Sequence, residues 1–329
     1  MVGCRSLVVG AACIAWGFAA NAREAQGWTL VDVGTLGGPG SYGAAVSDSG
    51  LVVGCADVDA ASAHAFIYRD GAMQDLGPGC ALAVNDAGVA AGRLDTGELA
   101  TWEDSGITRL GAKGNVGGVN ASGVVVGSIA DGVTTRAFRY SNGAMTMLAG
   151  EKATAINARG AIAGTSNGHA FLYQDGVMRD LGTLGGNASE ARGLNDRGQV
   201  VGMSTDAHGQ PLSFLDDRAM SELPAPAYSS AAAINERGQA VGSAEGTYGY
   251  LIDNGAYVRL DTLPEVASKG WRHLEPTGIN SQGWIVGTGT NADGNLRAFL
   301  LVPATARIAM RTASACEASS ACRSASMPR

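Results

Sequence analysis

Several residue types in this chain have side chains able to do chemistry, and each recurs at a fixed place. His64 and His169 open two copies of a His-Ala-Phe phrase. Asp32, Asp75, Asp180 and Glu222 share a slot in a Met-x-Asp-Leu type of phrase. Paired carboxylates of this kind do general acid and base work on glycosidic bonds when they face each other about 5–9 Å apart. Asn85, Asn120, Asn157, Asn195, Asn235 and Asn280 recur in a third phrase, followed in places by Asp48, Asp86, Asp196 and Glu236. An oxygen-rich ring could hold a hard cation, but these turns lack the dense oxygen spacing of a calcium loop. Glycine-rich stretches such as residues 34–38 precede no helix, so they do not read as phosphate or dinucleotide loops. No Ser-His-Asp or Cys-His constellation and no zinc-type spacing stands out.

The slots themselves weaken a catalytic reading. The equivalents of His64 and His169 in other copies are read as Leu99, Arg136, Leu212, Tyr248 and Arg297. A position filled by Leu, Arg, Tyr and His is structural. The carboxylate slot holds Arg109, Met147 and Arg259 elsewhere, which fits a solvated outer strand whose charges discourage edge pairing. The Asn positions are explained by turn formation, because an Asn side chain can cap its own turn.

The elements behind these slots are repeats. Apolar-Asn-x-x-Gly-x-apolar-x-Gly recurs from residue 84 onward, with an imperfect first copy at 46–54. The first glycines are Gly50, Gly88, Gly123, Gly160, Gly198, Gly238 and Gly283, spaced by 38, 35, 37, 38, 40 and 45 positions. Strand-like runs of four to six residues are bounded by Gly, Asn or Asp, a hairpin signature without helical periodicity. Each unit therefore reads as four short strands: a small-residue strand ending at the Asn, a Val-Val-Gly strand, a His-Ala-Phe strand and a Met-x-Asp-Leu strand. Small residues flank the first strands, as a crowded axis would require. Four-stranded units of about 40 residues repeated radially are propeller blades.

The ends of the array fit a closed ring. The last copy stops at Pro303 without a fourth strand, and a spare one sits at 30–33. The expected fold is an all-β, seven-bladed β-propeller over residues 23–303, with its ring closed by the N-terminal strand. An open solenoid would want capping repeats instead.

Composition agrees. Glycine, at 49 of 329 positions, is about twice as frequent as in ordinary globular chains. Charged residues are only 16% and apolar ones 46%. That balance excludes a disordered chain. Residues 1–22 have the layout of a signal peptide: Arg5, an apolar stretch over 7–20, and small residues Ala20 and Ala22. Cleavage near Ala22 would leave a secreted or periplasmic protein. Residues 304–329 read as a disordered tail. Residues 23–303 carry 18 basic and 29 acidic side chains, a net −11, which argues against nucleic acid. No apolar run reaches the ~20 residues of a membrane span.

Four cysteines follow the signal: Cys55, Cys80, Cys316 and Cys322. An even number in an exported chain suggests disulfides. Cys55 ends a second strand and Cys80 precedes the next first strand, so the two would meet between neighbouring blades. Cys316 and Cys322 could pair in the tail.

Residues 180–186 (Asp-Leu-Gly-Thr-Leu-Gly-Gly), 191–202 and 169–173 (His-Ala-Phe-Leu-Tyr) resemble the bacterial extracellular HAF-repeat family. Residues 33–38 and 64–66 match it again, and the resemblance covers nearly all of 28–303. It implies an exported, propeller-like protein of bacterial origin and implies no catalytic residues. Many such proteins carry a C-terminal sorting segment; the tail here has no apolar helix to serve as one.

The expected function is a non-catalytic binding or scaffold propeller for a surface glycan or protein, acting as a monomer without metal or cofactor. The alternative is a polysaccharide lyase or glycosidase at the loop face. The candidate binding residues are Trp271, Arg272 and His273, in the longest insertion between blades (261–276), with Asp206 and His208 on the same face. An exposed Trp271 beside Arg272 could stack on a sugar or anchor a partner.

Overall fold

The computed structural model describes residues 27–132 and 134–304. The expected signal peptide at 1–22, nearly all of the expected tail and Cys316 and Cys322 lie outside them. The fold is all-β. Among the described residues, five four-stranded antiparallel sheets and one seven-stranded sheet account for the repeats. The first unit is typical: Ser41–Val46, Val52–Asp57, Ala63–Arg69 and Ala72–Pro78 pair in sequence order. The spare strand Trp28–Gly34 pairs antiparallel with Leu296–Pro303, the third strand of the last unit, as expected. The second and third units depart from separate four-stranded sheets. One strand, Gly106–Val119, serves as the fourth strand of one and the first strand of the next, merging them. Gly111 takes a positive φ within this strand, a conformation that suits glycine.

The Asn-x-x-Gly phrase makes the first hairpin of six units as expected, and Ser47-x-x-Gly50 makes that of the first. In the fourth unit the Oδ1 of Asn157 accepts the backbone N–H of Ala161 at 2.9 Å, and Gly160 takes a positive φ. The same Asn also does something the repeats do not announce. Its Nδ2 donates to the backbone carbonyl of Asn195, the equivalent residue of the next unit, at 3.1 Å. Asn85, Asn120, Asn195 and Asn235 each do likewise toward the following Asn, and Asn280 donates to Ser47 of the first unit at 2.9 Å. All six are buried.

The Val-Val-Gly strand keeps its glycine for a steric reason. The first strand of each unit carries a register shift near its middle. This brings a carbonyl oxygen over the glycine of the second strand. A Cβ added at Gly164 would sit 1.9 Å from the oxygen of Lys152 and 2.7 Å from the ring of Phe171. Gly54, Gly92, Gly127, Gly202, Gly242 and Gly287 are equally crowded by their first strands. In six units an aromatic of the third strand (Phe66, Phe138, Phe171, Phe214, Tyr250 or Phe299) stands opposite this glycine and is fully buried or nearly so; in the second unit Ala100 stands opposite Gly92. Helical structure was not expected here, yet the 261–276 insertion holds a 3-10 turn, Leu260–Thr262, and a short α-helix, Pro264–Ser268, with Pro in its first turn.

Candidate functional site

The recurring His and carboxylate slots come together in pairs. His64 Nδ1 lies 2.9 Å from the carboxylate of Asp75, and His169 Nδ1 lies 3.0 Å from that of Asp180. Each Asp also accepts a backbone N–H two residues on, Gly77 at 2.7 Å and Gly182 at 2.8 Å. For Asp180 the Gly182 N–H leads in holding the carboxyl below its ordinary range, against slight desolvation, and His169 adds to it. For Asp75 desolvation is the largest influence and pushes up, but Gly77 and His64 together outweigh it. The strand register places Glu98, and not Leu99, in the His slot of the second unit. Glu98 pairs there with Arg109, the same contact with its charges exchanged. In the sixth unit Arg259 stacks on the ring of Tyr248 at 3.5 Å. The slot pair is thus a clasp between third and fourth strands, satisfied by several chemistries.

The insertion does not present Trp271 as expected. Trp271 is only 7% exposed and packs edge-on against Phe299, ring centroids 6.4 Å apart, in a cluster with Leu263, Val266 and Leu274. The helix in the insertion supplies the apolar cover that draws the indole inward. Arg272 is exposed. Asp206 caps its own turn, accepting the N–H groups of His208 and Gln210 at 2.8 Å each. The Gln210 N–H, ahead of slight desolvation and then His208, keeps its carboxyl low.

His273 is placed differently. It sits in the left-handed region, within an irregular stretch of the strand Arg272–Ile279, and is exposed. Bulged positions of this sort re-aim side chains at the edges of sites. His273 lines a cleft of about 850 Å³. That volume is in the range of small-molecule sites. Its walls come from the beginnings of first strands (Tyr42, Cys80, Val116, Glu275) and the ends of second strands (Cys55, Thr288, Thr290), with Thr247 and Leu296 at its edge. Tyr42 and Leu296 are each 46% exposed. Trp271, Arg272, Asp206 and His208 are not among the lining residues. Cys55 and Cys80 are joined as a disulfide, Cα atoms 4.7 Å apart, on the cleft wall. The hydroxyl of Thr277 is used within the framework, donating to the carbonyl of Gly43 at 2.9 Å.

The cleft offers an exposed aromatic ring, the hydroxyls of Thr247, Thr288 and Thr290, an imidazole and one carboxylate. Glu275 is the one acidic side chain among its lining residues. Among the described residues no group of three or more His, Cys, Asp or Glu could hold a metal ion. No helix among them is long and apolar enough to cross a membrane. Sequence reasoning reached His273 through the insertion but missed Tyr42, whose neighbourhood carries no motif.

No family model matches the chain, and no curated protein matches it. Solved structures do. The N-terminal domain of Nup159 is similar over 84% of this chain and 96% of its own, at 10% identity and a TM-score of 0.41. A fucose-recognising lectin of Aleuria aurantia with a six-bladed β-propeller fold is similar over the same shares, at 9% identity and a TM-score of 0.36. A glucose-dehydrogenase-type oxidoreductase of a Thermus species is similar over 84% of this chain and all of its own, at 10% identity and a TM-score of 0.37.

Proposed function

We propose that this chain is an exported, non-catalytic binding protein of the bacterial HAF-repeat type, a seven-bladed β-propeller that takes a glycan in the cleft beside Tyr42. The cleft carries the reading. An exposed Tyr ring gives a sugar an apolar face to stack on, while Thr288, Thr290 and His273 give hydroxyls their partners. Glu275 alone among the lining carboxyls leaves a glycosidase without its second acid. Seven blades and a closed ring are supported by the Asn-to-carbonyl bonds, which pass from unit to unit and return at Ser47, and by the pairing of Trp28–Gly34 with the last unit. Export is supported by the Cys55–Cys80 disulfide, since such bonds persist in oxidising compartments.

The test is a thermal-shift and calorimetric screen of the chain from residue 23 against neutral oligosaccharides and cell-wall fragments. A bound glycan raises the melting point by mass action, and Tyr42→Ala removes the shift without lowering the melting point of the free protein. Saturable binding that survives Tyr42→Ala would place the ligand elsewhere. Release of reducing ends from a polysaccharide, lost in Glu275→Gln, would establish the enzymatic alternative. Binding of an envelope protein and of no glycan would make the cleft a protein-docking site.

A further inference from the structure

The hydrogen-bond series between units has one gap. Six joints carry the buried Asn-to-carbonyl bond, but the first unit has Ser47 where the others have Asn. Ser47 still makes the local turn: its hydroxyl accepts the N–H of Leu51 at 3.2 Å, and Gly50 N–H bonds its carbonyl at 3.1 Å, as in the other copies. It is too short to reach Asn85 of the second unit. An exposed contact from Ser49 to Asp86 remains at this joint, and the fourth and fifth units share a similar one from Ala158 to Asp196. What the joint lacks is the buried bond.

The disulfide spans this same joint. Cys55 and Cys80 occupy slots that recur in every unit, opposite Tyr42 and Arg93 in their sheets. At the next joint those slots hold Arg93 and Asn115, linked by a hydrogen bond of 3.3 Å. The covalent link is therefore placed where the buried clamp is missing.

We propose that the Cys55–Cys80 disulfide is the latch of the joint between the first and second units, standing in for the hydrogen bond that Ser47 cannot make, and that its reduction loosens this joint ahead of the others. Both sulfurs lie on the wall of an open cleft and both residues are only half-buried, so a small dithiol can reach them. A thiolate of the dithiol attacks one sulfur, and its second thiol closes on the mixed disulfide. Two electrons and two protons pass to the protein, leaving two cysteine thiols and one oxidised dithiol.

The experiment compares the full chain, oxidised and treated with dithiothreitol, by thermal unfolding and hydrogen exchange. Reduction should lower the melting temperature by on the order of 5–10 °C, with amide protection lost first over residues 41–57 and 80–93. Ser47→Asn should raise the melting temperature of the reduced protein by roughly 2–4 °C and leave the oxidised protein nearly unchanged. The Cys55→Ser/Cys80→Ser double variant should no longer respond to the reductant, which separates this bond from any formed by Cys316 and Cys322. Protection lost evenly over all units, or an unchanged melting temperature on reduction, would overturn the proposal, as would a Ser47→Asn protein with an undiminished reduction response. If that variant does not fold, exchange on the reduced natural chain decides alone.

Discussion

Asn157 is the clearest place to test how the units are held together. Its side chain ends in two hydrogen bonds with different tasks: Oδ1 accepts from Ala161 N–H at 2.9 Å, and Nδ2 donates to the Asn195 carbonyl at 3.1 Å. Asn157→Ala deletes both. The Asn195 carbonyl keeps a second donor, the Gly198 N–H at 3.0 Å. It therefore loses only a net bond, about 1 kcal/mol. The Ala161 N–H belongs to a residue 3% exposed. Left without an acceptor, it costs about 1–3 kcal/mol. The sum is about 2–4 kcal/mol. Asn157→Ser should cost only about 1 kcal/mol, because a serine hydroxyl can take over the turn bond, as Ser47 does for Leu51. Urea unfolding of the three proteins, with midpoints compared at constant slope, measures both differences. Equal losses for Ala and Ser would refute the division into a turn bond and a joint bond. A loss under about 0.5 kcal/mol for Ala would refute the clamp altogether.

Gly164→Ala should destabilise strongly, by about 3 kcal/mol or more, since its Cβ would meet backbone and ring at once. Gly176→Ala, in open space but at positive φ, should cost only about 1–2 kcal/mol. Parallel thermal melts compare the two, and similar losses would contradict the crowding argument. Trp271→Ala should cost about 3–5 kcal/mol in the same assay, as a core aromatic does, and a loss below about 1 kcal/mol would return Trp271 to the surface. The phenol of Tyr250, buried against Gly242 and bonded to Ser213, is pushed up to about 12 by desolvation. Its contribution to stability is full below an unfolded-state value near 10 and is lost as pH rises from about 10 to about 12. Tyr250→Phe should flatten that alkaline fall, which ultraviolet titration of the phenolates and alkaline melts both follow.

What was legible in the residues was local. Asn-x-x-Gly names its own turn, so the hairpins at Asn85, Asn120 and their equivalents could be placed without tertiary information. The meeting of Cys55 and Cys80 was legible because strand ends on one face follow from hairpin order. Contacts that depend on register were not. The clasp between His64 and Asp75 needs the pairing of third and fourth strands, and a one-residue slip put Leu99 in place of Glu98. The continuous strand Gly106–Val119 was hidden because the repeat pattern treats each unit as four separate strands. Trp271 was misplaced because nothing in its neighbours tells that Leu263 and Val266 fold back over it. The cleft beside Tyr42 comes from five units at once, and no single copy contains it.

The pairing of Trp28–Gly34 with Leu296–Pro303 also sets an order of events. A ribosome or a translocation pore delivers the earlier strand first, and its partner arrives only after every other unit has emerged. Until then the early strand lacks the strand it pairs with. The late strand is the more hazardous of the two, because Ala298 to Val302 are all buried in the finished protein. A protease that clipped the chain before Ser41 would free a long apolar edge with its N–H and C=O groups unpaired, a template for a neighbouring molecule's strand. Next to this strand pair, the Ala304 N–H donates to the Gly27 carbonyl at 2.7 Å. Joining Gly27 to Ala304, and opening the chain between two later units, would let the strand and its partner emerge in succession and turn this long-range closure into an ordinary hairpin.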